Sequence, residues 1–416
     1  MHNIGLMGFG TVGTGVYEII NNKKGNFHKN FPNTTITKIL VQNLNKDRKV
    51  ICDKSILTNQ ADDLLNDSNI HTLIFNMGGL EPSFSYMQKA ILKGKNIITA
   101  NKAVVAPNLK FLTDLANKHN VHFLYEASTG GGIPIIGPLK KQLHINEVTH
   151  ISGILNGTCN YILSKMFSSD SSFADTLKDA QDLGFAEADP TDDVDAYDTS
   201  RKIGILSSIA YKTPIDLNHV STRGIRSISA VDVEFLKSKN ATLKLLGISA
   251  LENDHYAIMA EPVVVSNSNN LSLVDDAFNQ VNFHGSLIQD LSFKGLGAGQ
   301  FPTANAIVCD LMDILSASDN FHTDFSNDNI KHDSSILSFS YYVRFTLKDE
   351  YIDNNFLNII GQSFDEPFEL LHEGSNYYIK TSIKTRDHIS ELVNKLSEYC
   401  SSYFYAALLD SNLAVI

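Results

Sequence analysis

Tryptophan is absent from this sequence, and cysteine nearly so. Cys52, Cys159, Cys309 and Cys400 stand far apart and form no C-x-x-C pair. That spacing offers neither a zinc knuckle nor a disulfide framework, and it fits a reducing compartment. No apolar run approaches the ~18–20 residues of a membrane span, and no basic leader or apolar signal core precedes the first strand-like stretch, "NIGLMG". A cytoplasmic chain without a membrane partner is therefore expected. Positive charge is also scarce. Lys and Arg number 34 against 46 Asp and Glu, a formal charge of −12. Nucleic-acid binding needs a basic footprint and is disfavoured.

What is present suits a folded chain. Hydrophobic residues make up 43% of 416 positions, enough for more than one core, so two or three domains are expected. Residues 1–128 alternate strand-like runs ("NIGLMG", "TITKILVQ", "HTLIFNM", "NIITA", "VHFLYEA") with amphipathic segments ("VGTGVYEIINN", "PSFSYMQKAILKG"). Alternating β and α predicts a parallel sheet with right-handed crossovers, a Rossmann-type α/β domain. Residues 129–335 predict helices near 133–144, 158–167, 172–183 and 190–211, with strands at "THISGIL", "TLKLLGISAL" and "HYAIMAEPVVV", an α+β domain. A polar stretch at 326–338 reads as a linker. Residues 339–416 then read βαββαβ, a ferredoxin-like unit.

"GFGTVG" places Gly8, Gly10 and Gly13 in G-x-G-x-x-G spacing between a predicted strand and a predicted helix. In that context the motif reads as a dinucleotide fingerprint. Gly8 permits the turn, Gly10 lets the backbone approach a pyrophosphate, and Gly13 lets helix and strand pack closely. The helix N-terminus at Thr11 and Val12 adds unpaired N–H groups and partial positive charge. A Rossmann-like turn without a ligand is the alternative. An NAD site usually places an acid at the end of the second strand. Here Gln42 and Asn43 stand there, followed by Lys46 and Arg48, a pattern that leans to NADP(H) over NAD(H).

Lys102 in "ITANKAVVAP" falls just past a strand's C-terminal end, where ligands of open α/β sheets sit, and reads either as a ligand contact or as a surface lysine on a βα loop. Gly130, Gly131 and Gly132 in "EASTGGGIPII" mark either close backbone approach or a plain hinge. The stretch 184–202, "GFAEADPTDDVDAYDTSRK", holds six acids. Asp189-Pro190 reads as an N-cap with Pro at the first helical position, and Asp192 and Asp193 suit a first turn. Asp198 and Lys202 do not fit that account. They interrupt a helical stripe of Val194, Ile205 and Ile209, and ions inside an apolar stripe cost several kcal/mol each by general figures. Either the pair lies at an exposed helix edge, or it performs chemistry.

In sequence order, "GFGTVG", "TANK", "EASTGGGIPII", "GILNGTCNYIL", "GFAEADPTDDVDAYDTSRK" and "GLGAGQFPTANAIVCDL" resemble the motifs of homoserine dehydrogenases over roughly residues 1–320. The resemblance implies NAD(P)-dependent interconversion of L-aspartate 4-semialdehyde and L-homoserine, a step of threonine and methionine biosynthesis. It assigns proton donation to Lys202 and substrate binding to Glu187, Asp198 and Lys102. Lys102 is also placed at the nicotinamide, and Gly184 and Gly299 at the cofactor cleft. The carbonyls of Glu126, Thr129, Gly131 and Ile133 are implied ligands of a sodium ion. The resemblance also implies that 129–335 is the catalytic and dimerisation domain, and that the chain forms a homodimer or homotetramer.

Three positions depart from the family pattern. Ala196 stands where Gly is usual, and its methyl is expected to be tolerated. Gln42 stands where Arg is frequent, which weakens the lean to NADP(H). The C-terminal unit is similar to an amino-acid-binding ACT domain, but "KDEYIDN" replaces its usual D-x-P-G turn. Threonine sensing is therefore not expected. Two rival readings are another amino-acid dehydrogenase on the same nucleotide domain and a silent dehydrogenase acting as an amino-acid sensor. The complete Glu187, Asp198 and Lys202 set argues against silence.

Overall fold

The computed structural model describes residues 1–48, 50–317, 325, 329–348, 354–363, 368–410 and 413–414. The chain divides into two compact units. The first comprises Met1–Val148, Gly204–Leu217 and His284–Asp328, and the second Thr149–Ile203, Asn218–Phe283 and Asn329–Ile416. No helix among the described residues is long and apolar enough to cross a membrane.

Six parallel strands form the sheet of the first unit. Their spatial order is Leu57–Thr58, Thr34–Leu40, His2–Met7, Ile70–Phe75, Asn96–Thr99, Phe123–Leu124. Counted along the chain this is 3-2-1-4-5-6, the order of a dinucleotide-binding sheet, which reverses beside the first strand. Ile4, Leu6, Ile39, Ile74 and Ile98 are buried under helix Thr11–Asn21, which contributes Val16 and Ile20. "VHFLYEA" yields only a two-residue strand, because the chain turns at Tyr125 (ψ 31°) into the short 3₁₀ turn Glu126–Ser128.

A late helix completes this unit. In Gln300–Leu315, Ala304, Ile307, Val308 and Leu311 form one buried stripe within the same core. Gly15 makes the approach possible, since a β-carbon there would lie 2.8 Å from the Gln300 carbonyl oxygen. The boundary expected at 129 grouped this helix with the middle segment. Its apolar stripe does not reveal which core it covers.

The second unit is built on one sheet. It runs Phe278–Gly285, Val148–Ile154, Ala241–Glu252, His255–Ser266, Cys400–Leu408, Tyr341–Leu347, Asn376–Lys380, Glu369–Glu373. The last four strands are the βαββαβ unit in order 4-1-3-2. They continue the middle sheet through the parallel pairs Val263–Ala407 and Val264–Leu408. Strict alternation in "YYVRF" explains the burial on both sides. Tyr341, Val343 and Phe345 face Phe356, Ile360, Ile389 and Leu392. Tyr342 and Arg344 face helix Ala230–Ser238, whose Asp232 takes Arg344 Nε at 2.7 Å, Nη2 at 3.0 Å and the Tyr342 hydroxyl at 3.0 Å. Phe235 of that helix stacks on Tyr378 at 3.8 Å.

Part of the expected linker pairs with the second unit's sheet. Lys331–His332 pairs with His255–Tyr256, and Asp333 N–H donates to the Tyr256 carbonyl at 2.9 Å. The turn "KDEYIDN" lies mostly outside the described residues, including Glu350, Tyr351, Ile352 and Asp353.

Candidate active site

The helix expected at 190–211 is two helices, Thr191–Val194 and Tyr197–Ala210. Ala196 between them has φ 68°, the left-handed region, which costs a non-glycine residue roughly 1–2 kcal/mol. Its methyl is fully buried, which returns about 0.8 kcal/mol. The methyl that departs from the family pattern thus sits at the break and not inside a helix. The break is pinned from outside, for Ile225 N–H donates to the Val194 carbonyl at 2.9 Å and Arg226 Nε reaches Asp195 at 2.6 Å.

The six acids now separate by role. Asp189 accepts from Thr191 N–H at 3.1 Å, so it caps the first turn while Pro190, not Asp189, occupies the cap position. Asp192 binds Arg201 through two bonds, at 2.8 and 3.2 Å. Asp195 is held by Arg226. Glu187 is exposed on a turn whose carbonyl accepts from Gln181 Nε2 at 3.0 Å. Gly184, on the same turn, has φ 77° and open space where a β-carbon would project.

Asp198 and Lys202 are different. Their side chains are 2% and 10% exposed, and Lys202 Nζ lies 2.8 Å from Asp198 Oδ2. Val194, Ile205 and Ile209 of the stripe are buried with them. Lys202 also donates to the Leu155 carbonyl at 2.7 Å. Asn156, next in the chain, donates through Nδ2 to Asp198 Oδ2 at 2.9 Å and to Asp193 Oδ1 at 2.7 Å. This is a buried pair held at hydrogen-bond distance, and the exposed-edge alternative does not hold. Leu155 and Asn156 were not singled out in the sequence, and Asp193 was read only as a first-turn acid. The only local signal was Asn before Gly-Thr at a helix start, which reads as a cap. Cys159 donates to the Asp193 carbonyl at 3.1 Å, and burial pushes its thiol well up, which argues against a nucleophilic role.

The glycine turn lies in the first unit. Gly10 is the N-cap of helix Thr11–Asn21, and its missing side chain leaves open space. Gly8 has φ 108°, and a β-carbon on Gly13 would run into the Gly8 carbonyl. Beside them, both polar atoms of the Asn76 amide are buried without a partner among the described residues. A cleft of about 570 Å³ opens here, lined by Gly8, Gly10, Gln42, Asn43, Lys46 and Arg48 among others. Such a cradle of bare N–H groups fits a dinucleotide. Lys102 begins helix Lys102–Lys118 beyond the strand end, after Asn101. The Asn101 amide donates to the carbonyls of Met77 and Gly79, at 2.9 and 2.7 Å.

Around the triple glycine, the buried Glu126 carboxylate accepts from the N–H groups of Ile135 (2.6 Å), Ile136 (2.8 Å) and Gly137 (2.7 Å). Its own N–H donates to Asp310 at 3.0 Å. Burial raises both carboxyl pKa values, and for Asp310 the facing Glu126 adds to it. Gly131 (φ 59°) has no room for a β-carbon against the Gly297 carbonyl, so glycine here serves close approach. Gly299 (φ 123°) is the N-cap of helix Gln300–Leu315.

A nucleotide sheet of this order and a buried lysine held ready beside a carboxylate belong to the class of nicotinamide-dependent oxidoreductases. Comparison with known proteins narrows the class. Residues 8–126 match the family model described as homoserine dehydrogenase, NAD binding domain, and residues 134–312 the one described as homoserine dehydrogenase. The chain is 33% identical over 397 residues to the homoserine dehydrogenase of Bacillus subtilis, covering 94% of this chain and 90% of that one. With the Synechocystis enzyme it shares 39% over 316 residues, 75% of this chain and 73% of that one. The crystal structure of a homoserine dehydrogenase from Thiobacillus denitrificans superposes with TM-score 0.87 at 28% identity, covering 99% of both chains. The chain belongs to the homoserine dehydrogenases, NAD(P)-dependent oxidoreductases that interconvert L-aspartate 4-semialdehyde and L-homoserine.

Proposed function

We propose that Lys202 is the proton donor of this reaction and that Asp198 orients it. The observation that carries this reading is the buried pair itself, with Lys202 pinned between the Asp198 carboxylate and the Leu155 carbonyl. When bound, the reduced nicotinamide supplies the hydride that converts the semialdehyde carbonyl to an alcohol. Negative charge then grows on the substrate oxygen, and an ammonium within hydrogen-bond reach stabilises that charge and delivers the proton. Two hydrogens of Lys202 are held by protein acceptors, which leaves the third direction for substrate. Glu187 and Asp198 offer carboxylates for the substrate's own ammonium, and Lys102 offers a cation at the end of the fifth strand. Gly8, Gly10, Thr11, Val12 and Gly13 cradle the cofactor phosphates, with Gly184 and Gly299 as further cleft residues. The test is the absorbance of reduced nicotinamide after adding L-aspartate 4-semialdehyde, which should fall as homoserine forms.

The preferred cofactor is NADP(H). Support comes from the cleft wall after the second strand, where Lys46 and Arg48 line the cavity and no acid does. The acid in the lining, Glu81, belongs to the loop after the fourth strand. Arg48 folds across its own loop, donating to the carbonyls of Asn43 and Lys46 at 2.8 and 2.9 Å. Arg48→Ala should lower kcat/KM for NADPH by roughly 10–100-fold, the loss of one charge-assisted contact. NADH should be little affected. Equal losses with both cofactors would mean that Arg48 supports the loop and does not read a 2′-phosphate.

The carbonyls of Glu126, Thr129, Gly131 and Ile133 are proposed to hold a sodium ion, a hard cation suited to oxygen donors. Two buried carboxylates nearby favour positive charge. The functional division into 1–128, 129–335 and 339–416 is retained as a proposal, with 339–416 an ACT-like module of structural role. A cytoplasmic homodimer or homotetramer acting on a small molecule, without nucleic-acid or membrane partners, completes the reading. Millimolar threonine should leave the forward rate nearly unchanged. Saturable inhibition that disappears on deletion of 339–416 would make the module a feedback sensor.

A further inference from the structure

We propose that Asn156 is a positioning residue for this reaction, holding the Asp198 carboxylate in the plane that Lys202 requires. The inference rests on reading Asp198 and Lys202 as the reacting pair. Asn156 is 4% exposed, and every polar atom of its side chain is used. Oδ1 accepts from Cys159 N–H at 2.8 Å, capping helix Gly157–Ser169. The two Nδ2 hydrogens go to Asp193 Oδ1 at 2.7 Å and Asp198 Oδ2 at 2.9 Å. The amide has one acceptable orientation, because a flip would set its oxygen against two carboxylates and its NH₂ against an N–H group.

Residue choice separates the two roles. A helix cap is served about equally well by Asn, Asp and Ser. Donation to two carboxylates while capping needs a primary amide. Asp would add a third carboxylate, and Ser would offer a single short donor. The mounting is rigid as well. β-Carbons on Gly153 and Gly157 would lie 2.5 and 2.8 Å from the carbonyl oxygens of Gln280 and Ala277, so the segment is pressed against its neighbours. Asn160 ties the same helix to the carbonyls of Val274, Asp276 and Phe278, at 2.9, 3.0 and 3.1 Å. Consecutive groups on this fixed segment thus hold both partners, the Leu155 carbonyl taking Lys202 and the Asn156 amide taking Asp198. A site whose supporting groups lie on immobile backbone keeps its geometry through turnover.

Asn156→Ser and Asn156→Asp test this in the full-length enzyme, with Lys202→Ala in parallel. Both variants retain a capping oxygen, but only Asn156→Ser adds no charge, so its melting temperature should stay within a few degrees of wild type, while Asn156→Asp should also lose stability. We expect kcat to fall roughly 10–100-fold in Asn156→Ser, the effect of losing one hydrogen bond to a charged group, and further in Asn156→Asp. The dissociation constant for NADPH should not change. On the Lys202→Ala background, Asn156→Ser should add less than about two-fold, because residues acting as a unit are not additive. An Asn156→Ser or Asn156→Asp enzyme within about two-fold of wild-type kcat, beside an inactive Lys202→Ala, overturns this inference alone. Full multiplication of the two effects does the same, showing damage independent of the pair. Wild-type turnover in Lys202→Ala would instead overturn the underlying reading of the site.

Discussion

Lys202→Ala should lower kcat for semialdehyde reduction by roughly 10²–10⁴-fold, the usual contribution of a positioned general acid. Binding of NADPH should be little affected, because the phosphates are assigned to the Gly8–Gly13 turn, and Lys202 is bonded to Asp198 and Leu155 and not to that turn. The fold should survive, but the variant strands Asp198, which loses one of its two named donors and keeps Asn156. Lys202→Met, of similar length, is therefore the companion variant. Steady-state rates and a fluorescence titration with NADPH check the two halves of the expectation. Either variant keeping more than a tenth of wild-type kcat would remove Lys202 from the proton transfer.

The second large effect concerns stability. Arg344→Leu should destabilise the enzyme by about 3–5 kcal/mol, because removing one partner of a buried ion pair leaves the other uncompensated. Asp232 is fully buried, and Arg344 supplies two of its hydrogen bonds. For a unit of this size the melting temperature should fall by roughly 6–20 °C. Asp232→Leu combined with Arg344→Leu should recover part of the loss, since no charge is then left buried. The pair bolts helix Ala230–Ser238 to the first strand of the βαββαβ unit, so the transition read by calorimetry should move as a whole for the second unit. A single-variant loss below about 1 kcal/mol would show that the strand is held by sheet pairing and by Phe235 on Tyr378 instead.

Much of this architecture was legible because its signals are periodic. The alternating β and α runs of the first 128 residues and the βαββαβ order after 339 reappear as strands and helices at nearly the expected positions. "YYVRF" carried both faces of a buried strand in its alternation. Less legible were features fixed by a single torsion or by distant partners. Alanine is a good helix former, so nothing in "DVDAYDTS" announced the left-handed turn at Ala196. The stripe of Gln300–Leu315 shows that it is buried but not under which sheet. Asp198 and Lys202 could be found because i,i+4 spacing puts them on one face. Asn156 could not, because it meets Asp198 from 42 residues away. Glu187 was grouped with the pair by resemblance, and the structure leaves its side chain exposed on a turn.

The most direct measurement of the central claim is a single turnover, with enzyme in excess over L-aspartate 4-semialdehyde and NADPH absorbance followed after rapid mixing. Wild type should oxidise one NADPH per semialdehyde and yield L-homoserine. Lys202→Met, loaded with NADPH to the same extent, should oxidise it slower by roughly 10²–10⁴-fold. A Lys202→Met transient as fast as wild type would contradict the claim that the buried Asp198–Lys202 pair delivers the proton.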